Sequence, residues 1–414
     1  MGIPVYFASV LKEHPDCVCD ANTGLLSTCA NLYVDVGSAI FVILEREDCP
    51  ATFAGFYREF VDSMHTILSI ASPSKLVFLA LDGRPPAAKT FHKIFKKSNG
   101  QGTVSKEEEL DPSSVDDRFL PKKEKEKFAM VCHGTPFMDG VVRELRGLVA
   151  RMSSAHPRMK WILSTTEEDG EGEHKIFKHI KTVPFNAHDT FCVVGRDADL
   201  IMHSLASPVS KKINILRQTP SKEGGMDYKI LRIDKLIRDL EVEMKEPSKV
   251  RSRSAMRDFV FMCFFLGNDF LPNVGFSSVK DGVNILQATY KEVFSEIGEF
   301  LIDVEGQINM TVLESFVRKL SRRTTTRPAQ DDCSSHEKNE SFLALLNWCC
   351  NYYFNSSALP ESYYRWETAP PLEEFAAFIA NHQRGPQISP AAHVTLDLRP
   401  QWLKSYTFVT SRQT

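Results

Sequence analysis

The sequence predicts an α/β fold: a largely parallel sheet flanked by helices, with a small helical, aromatic-rich segment at the C-terminal end. Two observations carry that reading. Short apolar runs recur through the first part of the chain and alternate with stretches of helical periodicity, the pattern of strands buried on both faces of a parallel sheet. Several of those runs also end on an acidic residue, and in open α/β sheets ligands bind at the carboxyl ends of the strands.

The elements follow in chain order. Residues 31–36 (NLYVDV) form a first strand and 53–70 a helix, and residues 75–81 (KLVFLAL) form a second buried strand. Residues 160–163 (KWIL), 190–194 (TFCVV) and 213–216 (INIL) supply the third, fourth and fifth strands. Between them, residues 98–127 are polar and charge-dense and read as a solvated face, either a long exposed helix or a mobile loop. Residues 258–266 form an apolar helix. On this reading residues 1–317 are one core, 318–340 a hydrophilic linker or surface loop, and 341–414 a shortened second segment packed on the core.

Composition bounds the function. A chain of 414 residues with 43% hydrophobic and 25% charged residues has the make-up of a globular protein with a sizeable core. No apolar run approaches the length of a membrane span, and the N-terminal residues show neither a signal peptide nor, with Tyr6 in place of Ser or Thr, a myristoylation motif. The 10 cysteines are scattered, so reduced thiols are expected; Cys17, Cys19 and Cys29 with His14 could make a zinc site, but their C-x-C spacing favours plain buried thiols. A net charge of −3 argues against a protein that coats nucleic acid non-specifically, though not against a local basic pocket.

The chemistry is expected where the acids are. Asp35 closes the first strand and Asp82 the second; Glu171 and Glu173 follow the third, Asp197 and Asp199 the fourth, and Asp269 ends the apolar helix. In the stretch DGEGEHK, Glu171 and Glu173 fall on one side if the segment is extended, and the interleaved glycines leave room for an ion or a phosphate near the backbone. Each acid alone reads as a helix cap or a solvated side chain, and for Asp35 a cap would be the better explanation. Together they cannot all stay ionised without compensating charge, and an all-oxygen donor set suits two Mg²⁺ or Mn²⁺ ions. Residues 83–100 carry no acid, and Lys89, Lys93, Lys96 and Lys97 share one helical face, either a plain exposed basic helix or a phosphate pocket.

The ordered motifs MGIPVYF, NLYVDVGSAIF, LALDGRPPAAK, HGTPFM, DGEGEHKIFKHI, GRDADLIMHSLA and DFVFMCFFLGNDFLP resemble the Xrn/Rat-type 5′→3′ exoribonucleases from Met1 to about Pro272. A weaker match, LNWCCNYYF and YYRWETAPPL, covers Leu346 to Leu372. The resemblance implies a flap-nuclease-like core, Mg²⁺ dependence, and processive release of 5′-mononucleotides from single-stranded RNA with a 5′-monophosphate. It maps the family's acids onto all seven carboxylates named above as catalytic and metal-binding residues. It also maps the 5′-phosphate pocket onto the four lysines, replacing a Gln and two Arg, with loss of bidentate guanidinium contacts. Phe41 stands where the family has a base-stacking His, and Val36-Gly37 where it has Met-Asn. Trp402 is a weak substitute for a downstream stacking Trp. The short C-terminal region suggests a protein partner that completes it. An RNA-binding scaffold and a flap-type DNA nuclease are the alternatives; a phosphatase is disfavoured because residue 37 is Gly. A cytoplasmic location is expected, with the nucleus as the alternative.

Overall fold

The computed structural model describes residues 6–21, 29–86, 88–89, 119–121, 123–132, 134–221, 226–244, 252–324, 335–355 and 363–384. A sheet of seven strands organises it, in the order β1-β7-β6-β5-β2-β3-β4. The strands are β1 (Val18–Asp20), β2 (Asn31–Asp35), β3 (Leu76–Ala80), β4 (Lys160–Ser164), β5 (Phe191–Val194), β6 (Ile213–Pro220) and β7 (Met226–Arg232). From β4 through β3, β2 and β5 to β6 every pairing is parallel, while β7 joins β6 and β1 antiparallel.

The parallel strands β2, β3 and β5 are buried along their whole length, as their unbroken apolar sequences require. Alternate side chains feed two cores. Leu32, Val34, Val77 and Leu79 face the helices Val36–Leu44, Phe53–Ala71 and Pro136–Ala155. Tyr33, Phe78, Phe191 and Val193 face the helices Gly172–Thr182, Asp199–Ala206 and Ser252–Cys263. The chain leaves β2 towards β3 and β4 on one side, then returns to build β5 and β6 on the other. The order of the strands therefore reverses at β2, and the switch point lies at the end of that strand, where Asp35 sits.

Several boundaries differ from the sequence reading. Val36 opens a helix instead of ending the strand, and Thr190 precedes β5. The antiparallel strands β1 and β7 went unread, although Met226–Arg232 alternates polar and apolar residues. Residues 318–340 are not one linker: the helix Met310–Ser321 runs into the stretch, the helix Ser335–Cys350 begins within it, and residues 325–334 lie outside the described residues. Most of the charged stretch 98–127 also lies outside them, though Glu124–Met130 is a helix. Cys17 and Cys29 sit in cores on opposite faces of the sheet, so the zinc set is not brought together. His14 instead lies 3.3 Å from Asp239 and 3.6 Å from Glu243.

Candidate active site

The site is built at the C-terminal ends of β2, β3, β4 and β5. Asp35 is buried at the N-cap position of the helix Val36–Leu44, yet its side chain makes no capping bond. Instead it accepts from the Ser38 hydroxyl, which in turn accepts from the Arg196 amide at 3.1 Å. Ser38, which the sequence did not single out, thereby ties the end of β2 to the end of β5.

Two loops bring Asp82 and Glu171 together. The Gly83 amide donates to the Gly170 carbonyl, and the Gly170 amide to the Arg84 carbonyl, both at 2.9 Å. This close backbone pairing needs glycine. A Cβ on Gly83 would fall 1.8 Å from the Glu168 carbonyl oxygen, and Gly170 has φ +105°. Gly172 is crowded too: a Cβ there would stand 2.9 Å from Asp35 Oδ1 and 3.3 Å from Asp82 Oδ1, while its amide donates to Asp82 at 2.6 Å. The glycines thus make room for the protein's own carboxylates and carbonyls.

Glu171 and Glu173 do not share an extended segment. Glu171 is the extended residue before the helix Gly172–Thr182, and Glu173 lies in its first turn. Both are buried. Lys175, one turn into the helix, donates to the carbonyls of Leu81 and Thr165 at 2.8 Å each and clamps the ends of β3 and β4 together.

The acids influence one another. Burial first, and then Asp82 and Asp197, push the Asp35 carboxyl up to about 8. Burial, Glu171, Asp82 and Asp35 raise Glu173 well above the carboxylate range, against the pull of Lys89. Asp199 is pushed up to about 7 by burial and by Asp269. All seven predicted carboxylates therefore belong to one electrostatic neighbourhood.

Lys89 lies inside that neighbourhood, so of the two readings of the basic stretch the plain exposed helix does not hold at this residue. It is buried, paired with Glu171, and 2.8 Å from Asp269. Although burial pulls its proton off, Glu171, Glu173 and Asp269 hold the ammonium above its ordinary value. Lys93, Lys96, Lys97 and Trp402 lie outside the described residues. Phe41 is half-buried on the helix Val36–Leu44, its ring 5.4 Å from that of Phe128.

Two further residues come from far along the chain. The Tyr352 hydroxyl donates to Glu171 at 3.1 Å and that of Tyr353 to Asp199 at 2.9 Å. Among the described residues, no three acids or other ligand side chains are gathered as a formed metal site, for Lys89, Ser38 and the tyrosines occupy oxygens that would have to turn. The donor set nevertheless fits a hard divalent cation: every member is a carboxylate, and three of them are raised by burial and mutual repulsion, which a cation would relieve.

Fold and site together define an α/β protein with a buried carboxylate cluster at the switch point of a parallel sheet. Residues 1–219 match the family described as XRN 5′-3′ exonuclease N-terminus, and residues 250–344 match the Xrn1 helical domain. The chain belongs to the XRN 5′-3′ exonuclease family. It is 28% identical to 5′-3′ exoribonuclease 2 of Arabidopsis thaliana, an alignment covering 70% of this chain and 34% of the relative. For the 5′-3′ exoribonuclease 2 homolog of Caenorhabditis elegans the identity is 27%, covering 78% and 41%. The chain thus spans well under half the length of these relatives. Solved structures with distant likeness include the catalytic core of Rad2 in complex with DNA substrate (13% identity, 93% of this chain and 96% of that one, TM-score 0.42). Another is the T5 D15 protein co-crystallised with metal ions (12% identity, 85% and 98%, TM-score 0.36).

Proposed function

We propose that the chain hydrolyses single-stranded RNA from its 5′ end, accepting a 5′-monophosphate and releasing 5′-mononucleotides in succession. The observation that carries this reading is the convergence of Asp35, Asp82, Glu171, Glu173, Asp197, Asp199 and Asp269 on one rim of the sheet, in a chain of this family. Two Mg²⁺ or Mn²⁺ ions held by these carboxylates would supply an activated water and neutralise charge at the scissile phosphate. The side chains do the rest. Lys89, held between Glu171 and Asp269, sets a buried positive charge among the acids that favours the approach of a 5′-phosphate. Lys93, Lys96 and Lys97 follow it in sequence as further phosphate ligands. Phe41 offers a π-face on which a base can stack whatever its identity. A cap is too bulky and a triphosphate too charged for such an end pocket, and renewed capture of each new 5′-phosphate gives processivity.

The test is mononucleotide release from a 5′-monophosphorylated RNA in Mg²⁺, with 5′-hydroxyl RNA, 5′-phosphorylated DNA and an Asp197→Ala variant beside it. Release from the phosphorylated RNA alone, abolished in the variant and in EDTA, is the expected result. RNA binding without release would replace this reading with that of a scaffold, and preference for the DNA strand with that of a flap-type nuclease.

A further inference from the structure

We propose that Tyr352 and Tyr353 are positioning residues of the active site, aiming Glu171 and Asp199 through their hydroxyls. The inference rests on the nuclease reading above and extends it to a segment beyond the acids themselves.

The geometry is specific. Tyr352 and Tyr353 are 3% and 1% exposed, and the carboxylates they meet, Glu171 and Asp199, are 6% and 4% exposed. One oxygen of Glu171 takes Lys89 and the other takes Tyr352, so the plane of that carboxylate is fixed from both sides. On Asp199, Tyr353 holds Oδ1. In both contacts the phenol hydroxyl is the donor and a carboxylate oxygen the acceptor.

The rings cannot swing away. Tyr352 is stacked on His174 at 4.4 Å and on Trp348 at 5.1 Å, and meets Phe270 edge-on at 5.2 Å. Tyr353 is stacked on His203 at 4.4 Å, and His203 in turn on Phe177 at 5.1 Å. Both imidazoles serve as flat aromatic spacers against the tyrosine rings. Consecutive residues on an α-helix point about 100° apart. Here they lie in a short π-helical segment, Asn351–Asn355, of the kind often found at functional sites.

A structural tie would look similar in a static picture: two hydrogen bonds pinning the C-terminal helices to the core. Tyr→Phe substitution separates the roles, because it removes the hydroxyl and keeps the ring. Mn²⁺ binding to the RNA-free chain is measured by calorimetry for the wild type, Tyr352→Phe and Tyr353→Phe, with the unfolding temperature of each in EDTA. Tyr364→Phe is the comparison, since it removes a buried hydroxyl that donates to the Thr368 carbonyl at 2.9 Å from a ring packed on Phe342 and Trp366. Loss of a group that orients a metal ligand typically weakens binding ~10-fold or more. Such a loss in Tyr352→Phe and Tyr353→Phe, with EDTA unfolding temperatures no lower than that of Tyr364→Phe and with Tyr364→Phe binding Mn²⁺ as the wild type does, is the expected result. Unchanged Mn²⁺ binding in both tyrosine variants overturns the proposal, as does weakening that only tracks a fall in unfolding temperature. A wild-type chain that binds no Mn²⁺ overturns the nuclease reading first, and this proposal with it.

Discussion

Asp35, Glu173 and Asp199 carry most of the strain at the residue scale, and pH exposes it. Asp35 and Asp199 are pushed up to about 8 and about 7, and Glu173 is raised with them, by burial and then by neighbouring acids. A carboxyl with a raised folded pKa keeps a proton that the unfolded chain has already released, so stability falls as pH climbs towards the folded value. His174 and His203 act in the opposite sense, because burial depresses them and the unfolded chain binds protons they refuse. That opposition ends near 6.5, the ordinary value for histidine. Between pH 6.5 and 8 the carboxyls act alone among these groups, and in EDTA the unfolding temperature is expected to fall. The slope approaches ~1.4 kcal/mol per pH unit for each carboxyl still protonated. Added Mg²⁺ or Mn²⁺ should restore stability at the upper end; a flat profile would show that the acids are not strained. The acids were legible in the sequence because each follows an apolar run. Their partners were not. Asp258 is just as acidic and fully buried, yet it accepts the Leu301 and Ile302 amides at 2.9 and 2.8 Å and belongs to the core. Helical arithmetic likewise grouped Lys89 with the other lysines, and nothing in it showed the pairing with Glu171 and Asp269.

At the scale of elements, the ends of β3 and β4 and the start of the helix Gly172–Thr182 form one unit. Gly172→Ala gains at most ~1 kcal/mol of helix propensity, which offsets part of the crowding its methyl brings. The new methyl would stand 2.9 Å from Asp35 Oδ1, and a buried aspartate has little room to retreat. Calorimetry is expected to show weakened Mn²⁺ binding at a nearly unchanged unfolding temperature. Lys175→Met should do the reverse. It leaves the Leu81 and Thr165 carbonyls without their donor, at ~1–3 kcal/mol for each group left unsatisfied, and denaturant unfolding would register the loss. The five parallel strands were legible because their short, largely apolar runs alternate with longer stretches of helical periodicity. Strands β1 and β7 were not read: β1 has only three residues, and the polar and apolar alternation of β7 is a strand signal that was there to be found. The glycines of DGEGE were visible, but only the structure shows that protein atoms fill the space beside them.

Across the whole molecule, one core runs without a break from Tyr6 near the N-terminal end to Ile379 in the last described helix. Phe342 meets Phe265 at 6.4 Å and Tyr353 meets Phe264 at 5.1 Å, so the C-terminal helices cover the apolar helix that leads to Asp269. A truncation ending at residue 324 should therefore expose Phe264 and Phe265 and aggregate, which gel filtration would reveal as loss of the monomer-sized peak. A well-behaved truncated chain would show instead that the segment is an accessory. The same long-range closure sets an order in time. Asp199 precedes its hydroxyl donor by 154 residues, and Glu171 precedes its own by 181. At ribosomal speeds of ~5–20 residues per second, a growing chain holds Asp199 for roughly 8–30 s before Tyr353 is made. If the tyrosines set the carboxylates, the emerging polypeptide carries its acids unaimed throughout that interval. On the proposed reading the carboxylates gain their last aiming contact only once synthesis has passed the second tyrosine.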